Sequence, residues 1–207
     1  MRRSTHLAAT AHVIFTLACL GCEPRVEEPL RRSQVSTAAV TSSKAAESAA
    51  PRCVRPRAET PPRGLPHGNE PDPKCPADPE SPAPLREGRV VFPDAGRFSL
   101  TVEVAEKDHE RMRGLMYRRA MADDHGMIFR MDSRENHTFW MHNTCLSLDM
   151  LFIDDDGVIV GIEENAATLD DSTYEVSCPS RYVLEVNGGW SRKHGVAPGS
   201  RVVLTGI

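Results

Sequence analysis

Two carboxylates stand where apolar residues are expected, Asp149 inside LDMLFI (148–153) and Glu185 inside YVLEVN (182–187). Alternate residues of a strand face opposite ways. Leu148, Met150 and Phe152 therefore share one face of the first run, and Asp149, Leu151 and Ile153 the other. In the second run Val183, Glu185 and Asn187 face together, against Tyr182, Leu184 and Val186. An unpaired buried carboxylate is costly or takes up a proton, so each of the two needs a partner or lines a cleft. Arg111, Arg113 and Arg118, in and around RGLMYR, are the cations at hand, since a guanidinium grips a carboxylate through two hydrogen bonds. So paired, the carboxylates are fixtures of the fold. Otherwise Asp149, Glu185, Asn187 and Asn143 define a polar cleft with Trp140 as an aromatic wall, suited to a sugar or another polar, flat-faced ligand. Used as an acid and base pair, the same carboxylates would hydrolyse a glycosidic bond. Sequence spacing does not fix their separation, and the structural, binding and hydrolytic readings stand side by side.

Other constellations carry less. His137, His142 and Cys145 are metal-ligand types, but alternation along HTFWMH turns the two histidines to opposite faces, and no metal is assigned. DDDGVIVGIEE offers Asp154, Asp156, Gly157 and Glu163 at calcium-loop offsets, yet the first ligand position is Phe152, so the stretch reads as a β-turn. Seven methionines between Met112 and Met150 resemble copper-binding surfaces of exported proteins. Most occupy positions where core residues are expected, and methionine fills irregular cores well. Neither Ser147 nor Cys145 sits in a nucleophile elbow, no glycine-rich phosphate loop is present, and no cofactor is expected.

These residues must be positioned by short strands. RVVF, the turn PDAG and RFSLTVEVA open a β-rich region, with Phe98, Leu100, Val102 and Val104 alternating with polar residues as in a half-buried antiparallel strand. Residues 106–119 change to helical spacing, with Asp108 and Glu110 near the N-terminus, where the dipole favours them. GMIFRM, HTFWMH, LDMLFI, VIVGI, YVLEV and RVVL follow as further strands, DDDG marks a hairpin, and NGGWSRKHG forms a helical turn that Gly195 ends. The expected fold is mainly β, a small sandwich or barrel with one short α-helix and a further helical turn.

Composition separates this region from what precedes it. Ten of the 11 aromatic residues lie between Phe92 and Trp190, whereas 13 of the 16 prolines lie between Pro24 and Pro84. Residues 23–86 read as a disordered, Pro-rich tether, and 87–207 as the folded domain. The net charge of −4 hides 12 basic and 9 acidic residues in 1–86 against 13 and 20 in 87–207. The domain is thus acidic and shows no basic stripe, which argues against nucleic acid as a partner. Residues 1–22 place Arg2 and Arg3 before an apolar stretch from Leu7 to Leu20, the anatomy of a signal peptide. TLACLGC resembles a lipobox, with Cys19 or Cys22 as the lipidated residue. An exported chain forms disulfides, and Cys53 with Cys75 is one pairing, Cys145 and Cys178 lying in the domain.

RMRGLMYR (111–118), GMIF (126–129), FWMHNTCLSLDMLFIDDDGVIV (139–160), YVLEVNGGW (182–190) and HGVAPGSRVVL (194–204) resemble, in order, the motifs of the DUF192 (UPF0127) family. The resemblance covers residues 89–207 and implies a compact, jelly-roll-like β fold, often exported or lipid-anchored, with no generally established function. His142 stands where that family commonly has Lys or Arg, Ser147 where it has Pro, and Gly188 where it has Ala. The resulting expectation is a lipid-anchored domain of the cell envelope or periplasm that binds a small polar or glycan-like ligand. A hydrolase of envelope material using Asp149 and Glu185, and a purely structural or protein-interaction module, are the alternatives.

Overall fold

The computed structural model describes residues 51–59 and 70–207. Residues 1–22, read from the sequence as a signal peptide with Cys19 and Cys22, and residues 23–50 and 60–69 of the expected tether lie outside the described residues. Seven strands form one mixed sheet: β1 Glu87–Phe92, β2 Phe98–Ala105, β3 His125–Glu135, β4 Leu148–Ile153, β5 Ile159–Ala166, β6 Ser180–Asn187 and β7 Val203–Thr205. Two short helices, α1 Asp108–Arg113 and α2 Trp190–Lys193, complete the domain. The strand order is β5-β4-β6-β3-β2-β1-β7. Among these pairings β2–β3 alone is parallel. A parallel pair needs a crossover, and residues 106–124, carrying α1, supply it. The fold is mainly β, as its alternating runs suggest. The start of β5 meets the chain just before β7 through the bridge Val158–Arg201 and the hydrogen bond from Ile159 N to Ser200 O (2.9 Å). That contact curls the sheet without closing it into a barrel.

Each face of the sheet carries its own core. Leu100, Val102, Val104, Ile128, Leu151, Leu184 and Val186 pack with Trp190 and Val202 on one side. Met127, Phe129, Leu148, Met150, Phe152 and Val183 pack on the other, under Leu115, Met141, Leu146 and Val176 from the crossover and loops. This two-sided burial explains why β4 has no exposed residue. Among the described residues, no helix is long and apolar enough to cross a membrane.

Two expected elements are shorter than their patterns suggest. HTFWMH is no strand: Phe139 and Tyr174 exchange hydrogen bonds (2.9 and 2.8 Å), and then Asn143 turns the chain with φ +52°. The helix expected over 106–119 occupies six residues, because Gly114 takes φ +47° against the Phe129 ring, only 3.2 Å from where a Cβ would sit. At its other end the Glu110 carboxylate accepts the backbone N–H groups of Glu106 (3.1 Å) and Lys107 (3.0 Å) and the Lys107 ammonium (2.9 Å). The ammonium and these N–H groups hold the Glu110 carboxyl down at about 2. That contribution is present above the ordinary glutamate range and is lost as pH falls through about 2. Glu110→Ala is expected to lower stability by about 1 kcal/mol at pH 7. The loss should fade in strong acid, which urea titrations at pH 7 and pH 2 would check.

The described parts of the Pro-rich segment are fastened to the domain. Cys53 bonds to Cys178 and Cys75 to Cys145, so the tether cysteines pair with core cysteines and not with each other. Arg55 N donates to Val160 O (2.8 Å), Asp72 N to Cys145 O (2.8 Å), and Arg52 pairs with Asp156 (2.6 Å). A disordered spacer is therefore not what residues 51–59 and 70–86 form. Covalent links and ion pairs supply what their scant apolar burial does not.

Candidate functional site

Asp149 faces the Trp190 side of the sheet, in register with Val186. Its Oδ1 accepts the backbone N–H groups of Asn165 (2.9 Å) and Gly189 (2.9 Å), and its Oδ2 the Ser191 N–H (2.9 Å) and hydroxyl (2.6 Å). Gly189 and Ser191 bracket the start of α2, so this carboxylate seats the turn that places Trp190 in the core. It is fully buried and does not line a cleft.

Glu185 lies on the opposite face, between Met127 of β3 and Met150 of β4. It is 4% exposed, with no cation or donor within hydrogen-bonding distance among the described residues. Burial alone pushes its carboxyl up to about 8. Because the sheet separates Glu185 from Asp149, the two cannot flank one scissile bond. The acid and base pair of the hydrolase reading is not assembled.

The three arginines serve neither carboxylate. Arg111 pairs with Asp132 (2.9 Å) and Asp108, Arg113 with Asp78 (2.6 Å), and Arg118 grips both oxygens of Glu103. The remaining cleft candidates are dispersed too. Trp140 is 43% exposed and stacks on His142 at 4.9 Å, while His142 Nδ1 meets Asp171 (2.6 Å). Asn143 donates to the Tyr117 hydroxyl (2.8 Å), and Asn187 to Met121 O (3.0 Å). His137 is buried against Ser180 O (3.1 Å), Cys145 is in a disulfide, and Asp154 is clasped by Arg134 (2.9 Å) in a plain hairpin. Neither the three-residue metal set nor the calcium loop forms.

A concavity among the described residues lies elsewhere. A groove of about 760 Å³ runs between the α1 segment and the strap around Asp78–Leu85, with Glu103 and Met127 on its floor. Its charges are matched within the wall: Arg113 with Asp78, Arg118 with Glu103, Lys107 with Glu110. The Arg113 guanidinium also lies 5.2 Å from the centre of the Tyr117 ring, a cation–π contact. The disulfide to Cys145 and a hydrogen bond from Arg119 to Cys75 O (2.9 Å) hold the strap in place. Arg113 and Arg118 thus belong to a cleft, although not to the one their sequence neighbours suggest. The groove is hard to read from sequence because one wall comes from the Pro-rich segment. Cys53 and Cys75, inside the Pro-rich segment, are the signal that this segment returns to the domain.

A curled mixed sheet with a crossover helix and a cystine-fastened strap defines a small β domain with a lateral groove. The chain belongs to the DUF192 family, described as Uncharacterized ACR, COG1430, whose model matches residues 90–204. It is similar to a solved protein of Sinorhizobium meliloti 1021 described as a "putative transcription regulator". The two share 41% identity at a TM-score of 0.57, over 60% of this chain and 98% of that one. A protein of unknown function from Novosphingobium aromaticivorans DSM 12444 is 33% identical at a TM-score of 0.55, over 60% of this chain and 94% of its own. No curated protein matches the chain.

Proposed function

We propose that this chain is an exported, lipid-anchored protein of the cell envelope whose domain binds a small polar ligand and does not turn it over. The observation that carries the reading is the groove between the α1 segment and the strap, of a size that suits a small molecule. Its wall offers guanidinium, phenol and carboxylate groups already held in fixed orientations by one another, which suits recognition. Two disulfides joining the Pro-rich segment to the domain suit an oxidising compartment. The Trp140–His142 stack is not part of the groove lining, so the ligand is assigned to the groove and not to that platform. The description of the Sinorhizobium relative is not carried over, since the domain here is acidic and shows no basic stripe.

The test is thermal unfolding of the full chain, disulfides intact, against small polar metabolites and short glycans. A ligand held at a hundred times its dissociation constant adds about 2.7 kcal/mol of stability. At least one member is expected to raise the melting temperature, with Arg118→Ala abolishing the rise. A flat response over the whole panel, or a rise that Arg118→Ala leaves intact, would remove the groove as the site.

A further inference from the structure

We infer that the groove also takes copper(I), a soft d10 cation, through the His109 imidazole and the Met112 and Met116 thioethers. The inference rests on the groove being a binding site but not on the organic ligand proposed above. Core packing accounts for five of the seven methionines between Met112 and Met150. Met127, Met141 and Met150 are buried, and Met121 and Met131 pack against the same cluster. Met112 and Met116 belong to neither core cluster, and both line the groove. Met112 is 62% exposed. An exposed thioether gains nothing from burial and invites oxidation to the sulfoxide, so its placement at a groove calls for a use.

His109 and Met112 are three residues apart on α1, a spacing that puts side chains on one side of a helix. Met116 follows beyond Gly114, in the turn that ends α1, where its N–H donates to Arg113 O (3.1 Å), and it lines the same groove. All three residues border the groove. The His109 Nε2 has Glu110 at 4.0 Å, too far for a hydrogen bond, and among the described residues no hydrogen bond engages the imidazole.

Thioether and imidazole donors are neutral and polarisable, and they favour copper(I) over hard cations. A hard cation would need the groove carboxylates, which arginine and lysine already occupy. Among the described residues, no three His, Cys, Asp or Glu side chains gather as a metal site. Acidic side chains still outnumber basic ones in the lining, by Asp78, Glu80, Glu103 and Glu110 to Lys107, Arg113 and Arg118. A monovalent cation therefore meets a mildly attractive field.

The experiment is a competition titration of the full chain against a coloured copper(I) chelator under ascorbate, with silver(I) as the redox-inert counterpart. One equivalent of copper(I) is expected to leave the chelator. Silver(I) should shift the methyl NMR signals of Met112 and Met116 and leave those of Met141 and Met150 in place. Met112→Leu with Met116→Leu keeps the apolar volume, and should weaken copper(I) binding at least tenfold without changing the melting temperature of the metal-free protein. No withdrawal of copper(I) overturns the inference, as does binding that survives the double substitution, which is what ligation at Cys19 and Cys22 would give. Either result leaves the organic ligand panel to be judged on its own outcome.

Discussion

Asp149→Asn is expected to destabilise the domain by about 3–5 kcal/mol, moving the urea midpoint well below that of the wild type. Four donors converge on this one carboxylate: the N–H groups of Asn165, Gly189 and Ser191 and the Ser191 hydroxyl. An asparagine offers one acceptor oxygen, and its amide nitrogen confronts donors where the second oxygen was. At least one buried N–H is then left without a partner, and the remaining hydrogen bonds lose their charge assistance. Because Gly189 and Ser191 begin α2, the damage should reach Trp190, whose indole donates to Asp123 O (2.9 Å). The near-ultraviolet signal of Trp190 should weaken before the sheet itself melts. Ser191→Ala, which removes a single donor, should cost only about 1–1.5 kcal/mol. An asparagine variant within about 1 kcal/mol of the wild type would mean that the four contacts contribute far less than their geometry implies.

Glu185 gives the second large effect, and its sign is opposite to that of an ion-paired carboxylate. Burial raises its folded-state pKa to about 8, above the ordinary glutamate value near 4.3. The folded protein thus holds a proton that the unfolded chain releases. The stability due to that proton is full below about pH 4.3, declines as pH rises, and is gone above about pH 8. Over that window the wild type should lose ~3–5 kcal/mol through this one group, on the order of 10 °C in melting temperature for a domain of this size. Glu185→Gln mimics the protonated form at every pH. The variant should match the wild type near pH 5 and exceed it near pH 8.5, as urea midpoints at several pH values would reveal. Two pH profiles of the same slope would show that Glu185 is ionised in the folded protein, and would point to a cation or water reaching it.

Much of this arrangement was legible from alternation. The runs LDMLFI and YVLEVN assign Asp149 to one face with Leu151 and Glu185 to one face with Val183, and the two core clusters keep those assignments. What alternation within a strand leaves open is how the faces of two strands correspond. Only the register of β4 with β6, which sets Met150 beside Glu185 and Val186 beside Asp149, reveals that the carboxylates are on opposite sides of one sheet. The partners of Asp149 were illegible for another reason. Three of its four donors are backbone N–H groups, which every residue but proline owns, so no side-chain type marks them in advance. The arginines misled because ion pairs follow spatial proximity, and Asp78, Glu103 and Asp132 lie nearer to them than the buried pair. HTFWMH shows the same limit: its alternation is real, but a turn at Asn143 and a single bridge to Tyr174 replace a ladder.

The bond between Cys53 and Cys178 also decides how the domain answers a pull. Cys178 lies two residues ahead of β6, which sits inside the sheet between β4 and β3. Tension applied to the chain ahead of Cys53 therefore enters through a covalent bond near the middle of the sheet. It bypasses β1, next to the β7 edge, whose ladder to β2 would be the first to be peeled if both this bond and Cys75–Cys145 were open. Oxidised, the domain carries such a load on an interior strand; with both disulfides reduced, it would carry it on hydrogen bonds taken one at a time.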